Sequence, residues 1–136
     1  MRRGLFALPI PLFVLLAYNA VVLLSPDPAV TLSAVVLRAA LASGAAFTLT
    51  TGEGLILLGV AALFMEVVKA TRSSQASAVE HALSALVFAG YLIEFLLVKT
   101  AGTGVFLVLT LMSFLDLIAG FTVTLGAARR DVTIAP

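Results

Sequence analysis

The chain has no cysteine, no tryptophan and one histidine, and only 11% of its 136 residues are charged. Without cysteine there can be no disulfide, thiolate metal site, acylated thiol or cysteine nucleophile. A lone His81 falls short of the three or four converging donors that a metal site needs, so no metal or other cofactor is expected. The missing tryptophan leaves Tyr18, Tyr91, arginine and lysine as interfacial anchors. Charge of one sign is also lacking. Eight Lys and Arg against seven Asp and Glu give a net +1, with no basic block to suggest a nucleic-acid partner. Apolar residues fill the remainder: 62% of the chain is hydrophobic and its mean hydropathy is +1.20. Soluble domains run about 45–50% apolar and about 25% charged, so this composition belongs in lipid rather than water.

The apolar runs predict a single all-α membrane domain over residues 1–136, an integral four-helix bundle with spans at about 4–24, 51–72, 78–99 and 105–126. The first run is longer than the ~7–15 residues of a signal-peptide core and lacks an A-x-A site, which reads as a retained signal anchor. Pro9 and Pro11 should kink or loosen it. Asp27 before Pro28 is a helix start signal, cap then first turn. The segment that follows, a short helix at about 28–43 carrying Arg38, is brief for a span. With the Thr-rich, extended stretch 45–51 it forms either an interfacial helix with a return loop, the preferred reading, or a re-entrant hairpin. Thr50 with Glu53, and Ser77 with Glu80, are capping boxes opening the second and third spans. The tail 127–136 has no core-forming pattern and should fray.

Charge placement decides the span count. With four spans and both termini cytoplasmic, Arg2, Arg3, Lys69, Arg72, Arg129 and Arg130 lie inside, and only Arg38 and Lys99 outside. A fifth span through 29–51 would move Lys69, Arg72, Arg129 and Arg130 outside, against the positive-inside bias.

Helical spacing gathers small and polar residues into one stripe per span: Gly59, Ala62, Glu66 and Lys69; then Glu80, Ser84, Val87, Tyr91 and Glu94; then Thr110, Ser113, Asp116, Gly120 and Thr124. Small residues allow close helix approach and hydroxyls bond across the gap, so the stripes should face one another. The candidate intramembrane polar site therefore has two layers. Glu66, Lys69, Asp116 and His81 form the inner one, and Glu94 with Asn19, joined by Lys99 and Arg38, the outer. The plain alternatives are a helical ion pair for Glu66 and Lys69, a cap for Glu80, and a solvated His81. For Glu94 and Asp116 a buried, hydrogen-bonded structural role is favoured over a transport role.

No phosphate-binding loop, dinucleotide fingerprint, H-E-x-x-H or G-x-S-x-G motif occurs. With no catalytic set in view, the chain is not expected to be an enzyme. Taken together, ASGAAFTLTTGEGLILLGVAALFMEVVKATR, SAVEHALSALVF, LIEFLLVKTAGTGVF and LDLIAGFTVTLGAARRD resemble small uncharacterised inner-membrane proteins of proteobacteria with four spans. The resemblance covers most of the chain and implies a bacterial inner membrane, but no activity. Small multidrug resistance exporters have a similar length and span count. Their essential first-span Glu has no counterpart in 4–24, so that match fails on its defining residue. Three functions follow for weighing. The first is an accessory, assembly or interaction protein that binds the lipid bilayer, itself as a homo-oligomer, or a larger membrane complex. The second is an oligomeric proton- or cation-coupled transporter or channel using Glu66, Asp116 and Glu94. The weakest is an intramembrane enzyme using His81 and Glu66.

Overall fold

The computed structural model describes residues 8–72 and 78–132. The chain is mostly helical. Its elements are α1 (Ile10–Leu23), α2 (Pro28–Ser33), β1 (Val35–Ala40), β2 (Ala46–Thr50), α3 (Thr51–Arg72), α4 (Ala78–Leu97), a 3-10 turn (Lys99–Ala101) and α5 (Gly104–Val132). Three helices are long and apolar enough to cross a membrane, over Thr51–Ala70, Val79–Leu97 and Gly104–Thr122.

The first apolar segment differs from expectation. Pro9 is the N-cap of α1 and Pro11 lies in its first turn, so the prolines start the helix rather than kink it. Proline suits that place because its missing N–H is one the helix could not have used. The 14 residues of α1 rise about 21 Å at ~1.5 Å each, short of a ~30 Å hydrocarbon core. Residues 4–7, like Arg2 and Arg3, lie outside the described residues.

The short helix expected at about 28–43 is a further correction. Asp27 does cap it, its Oδ1 accepting from the N–H groups of Ala29 and Val30 at 3.1 and 3.2 Å. The helix stops at Ser33, however, and the chain turns into an antiparallel hairpin with Leu37 opposite Leu49, Arg38 opposite Thr48 and Ala39 opposite Phe47. Gly44, at φ 83°, makes the turn between the strands, a conformation that other residues resist. Val35 and Val36 favour a strand, and the Thr-rich stretch read as extended supplies the second one. Every β1 residue is exposed.

The hairpin leads directly into α3. The backbone N–H of Thr50 donates to Glu53 Oε2 at 2.8 Å, and that of Glu53 donates to Thr50 Oγ1 at 3.3 Å. This is the reciprocal box the sequence predicts. Thr50→Ala should lower stability by about 1 kcal/mol, read as a small drop in the thermal midpoint by circular dichroism in detergent. The second box cannot be compared, because Ser77 lies outside the described residues. α5 is helical to Val132, within the tail expected to fray, and residues 133–136 lie outside the described residues.

The core lies where α1, α3, α4 and α5 meet. Its centre is aromatic: Phe106 packs against Tyr18 with ring centroids 4.6 Å apart and against Tyr91 at 5.5 Å. Val14, Ala62, Val87 and Leu109 are buried around them. Gly59 sits at the α3–α5 contact, where a Cβ would come within 2.6 Å of Leu109 Cδ2 and 2.9 Å of Met112 Sδ. Large apolar side chains on the outward faces, such as Leu57, Phe64, Leu86, Leu96, Leu111 and Phe121, are exposed.

Candidate functional site

Eight residues of the three predicted stripes lie on buried faces of their helices, while Glu66, Lys69, Glu80, Glu94 and Gly120 are half-buried and the Thr124 side chain lies outside the described residues. Gly59 and Ala62 on α3, Ser84, Val87 and Tyr91 on α4, and Thr110, Ser113 and Asp116 on α5 are all buried. Leu and Phe residues between them point away. Gly59 and Ala62 let α3 approach α5 closely, and the hydroxyl residues fit along the same seam.

Glu66 occupies the α3 stripe near its end. Its Oε1 accepts from Lys69 Nζ at 2.9 Å, while its Oε2 accepts from the backbone N–H of Ile10 at 3.1 Å. Ile10 is the first residue of α1, so its N–H has no acceptor within the helix. Pro9 offers no capping side chain. Glu66 thus caps a neighbouring helix and places negative charge at that helix's positive end. Nothing in the sequence signals this bond, since the partner is a backbone group 56 residues away.

Asp116 is 5% exposed and hydrogen-bonded to the Ser84 hydroxyl. His81 lies flat beside α5, stacked on Phe121 at 5.6 Å between centroids. A Cβ on Gly120 would come within 2.9 Å of the imidazole, so the glycine of that stripe makes room for the ring. Glu66, Lys69, Glu80, His81, Ser84 and Asp116 line one cavity of about 30 Å³. The predicted inner layer is therefore brought together, with Glu80 and Ser84 added. At ~10–15 Å³ per water the cavity has room for about two water molecules. Pockets for organic ligands are larger by about an order of magnitude. No group of three or more His, Asp or Glu among the described residues converges to hold a metal.

The outer layer is smaller than predicted. Asn19 Nδ2 donates to Glu94 Oε2 at 3.1 Å and to the Leu15 carbonyl at 3.1 Å, tying α1 to α4. Lys99 is exposed on the 3-10 turn and Arg38 is exposed on the hairpin. Sequence reasoning missed Tyr18, treated as an interfacial anchor but fully buried. Its hydroxyl donates to the Thr100 carbonyl at 3.1 Å and lies 3.0 Å from Thr103 Oγ1. Thr103 in turn caps α5, its Oγ1 accepting from the Phe106 N–H at 3.1 Å. A tyrosine mid-helix without a flanking charge was the available signal. Tyr91, already on the predicted stripe, likewise bonds a backbone carbonyl, its hydroxyl donating to Pro11 at 2.9 Å.

Tyr18, Phe106 and Leu109, none more than 1% exposed, belong to the closely filled core beside these groups. Searches of family models, curated proteins and solved structures find nothing that matches the chain.

Proposed function

We propose that the protein is a small integral inner-membrane protein of the accessory, assembly or interaction type. On this reading α1, α3, α4 and α5 form a four-helix bundle in the bilayer, and the carboxylates hold it together. One observation carries the reading: Glu66 and Glu94 each spend an oxygen on α1, through the Ile10 N–H and the Asn19 amide. Groups used this way fix helix register. The exposed Leu and Phe side chains of the outer faces suit lipid or a second membrane chain. The positive-inside bias and the resemblance to proteobacterial inner-membrane proteins support a bacterial plasma membrane with both termini cytoplasmic.

The second reading is an oligomeric proton- or cation-coupled transporter. It is favoured by Asp116, which joins no helix to α1 and opens into a polar cavity. Reconstituted vesicles separate the two. The accessory reading expects no proton or monovalent-cation flux above that of empty vesicles. It also expects Glu66→Gln, Glu94→Gln and Asp116→Asn to fold and melt at lower temperature. Flux that disappears with Asp116→Asn would overturn it in favour of transport.

A further inference from the structure

Ser113 is 2% exposed, and its hydroxyl is the one buried side-chain polar group without a hydrogen-bond partner among the described residues. A helical hydroxyl usually donates to the carbonyl four residues back. Thr110 and Thr122 do so here, at 2.8 Å to Phe106 and 2.9 Å to Ile118. Ser113 does not. It faces a second void of about 10 Å³, whose lining includes Pro11, Gly59, Ala62, Tyr91 and Met112. That is about the smallest space that holds one water. Although most of the wall is apolar, the Ser113 and Tyr91 hydroxyls offer polar partners.

The void is placed next to the Asp116 cavity. Ser113 to Asp116 on α5 and Ala62 to Glu66 on α3 are steps of one turn in the same direction, about 5 Å along the bundle. Two hydrogen-bonded waters bridge such a gap. We propose that void and cavity form one hydrated vestibule, entered beside the Glu66, Lys69, Glu80 and His81 side chains and ending in a water bound to the Ser113 hydroxyl. Ser113 lies midway along the apolar stretch Gly104–Thr122, so the vestibule reaches the centre of that span and stops. Leu109, one turn back along α5, lines the void on its far side. Asp116 accordingly exchanges protons with solvent at one end of the molecule only. This inference goes beyond the accessory reading and does not require the transport one.

The lack of native cysteine makes the test clean. In the full-length protein in nanodiscs, Ser113→Cys is treated with silver ion, which is close to water in size, or with a bulky methanethiosulfonate ammonium reagent. Free thiol is then counted after denaturation. The vestibule predicts loss of the thiol with silver and retention with the bulky reagent. Val22→Cys, buried in α1 away from both spaces, should keep its thiol in either reagent. Equal protection of both cysteines from silver overturns the proposal, as does equal attack on Ser113→Cys by the bulky reagent. Ser113→Ala supplies an independent reading in a variant that retains the fold. If the void is hydrated, the thermal midpoint falls because the water loses its partner. A rise or no change, expected when an orphaned hydroxyl is removed from a dry site, overturns the proposal as well.

Discussion

Phe106→Ala should destabilise the protein more than any other single truncation in the core, by about 3–5 kcal/mol. The ring is fully buried and touches aromatic partners from two other helices, Tyr18 of α1 and Tyr91 of α4. Those partners cannot collapse into the space left behind, because both hydroxyls are tethered. Tyr18 is held at Thr100 and Thr103, and Tyr91 at the Pro11 carbonyl. A cavity therefore persists, and its cost adds to the lost transfer energy of the ring. Phe106→Leu keeps most of the volume and should cost about half as much. The check is thermal unfolding in detergent followed by circular dichroism. A Phe106→Ala midpoint within error of wild type would show that the aromatic cluster does not hold the helices together.

Glu66→Ala should come next, at about 2 kcal/mol, below the ~3–5 kcal/mol for breaking a fully buried ion pair, because this pair is half-buried and the Lys69 side chain, 27% exposed, can reach water in part. Two losses combine: Lys69 loses its 2.9 Å bond to Glu66, and the Ile10 N–H loses its acceptor at a helix end with no side-chain cap of its own. Glu66→Gln separates them. Its amide oxygen can still accept from Ile10, so it should cost clearly less than Ala. Equal midpoints for Glu66→Ala and Glu66→Gln would mean that the bond to α1 contributes nothing, and the locking role assigned to this carboxylate would fail with it.

Both predictions concern bonds between segments far apart in the chain, and this divides what the sequence determined from what it left open. Composition and run length established a mostly helical chain with long apolar helices. Spacing of three and four residues also identified the buried faces of α3, α4 and α5, because a helix repeats its own geometry and needs no partner to show it. The Thr50–Glu53 and Asp27–Pro28 starts were legible for the same reason: a cap is a contact between near neighbours. Even the pairing of Asn19 with Glu94 followed from matching depths along two helices.

The tertiary structure decided the rest. The stretch 35–40 is apolar enough to be read as helix. It is a strand because 46–50 returns alongside it around Gly44, a non-local pairing that periodicity does not encode. Pro9 and Pro11 begin a helix instead of bending one, and Glu66, distant in sequence, receives the Ile10 N–H exposed at that start. Tyr18 and Tyr91 are tied into the core by backbone carbonyls, which carry no residue identity for a sequence to display. Local geometry is written in neighbouring residues. Which backbone group a buried carboxylate or hydroxyl will meet depends on how whole helices pack, and that is settled only when they do.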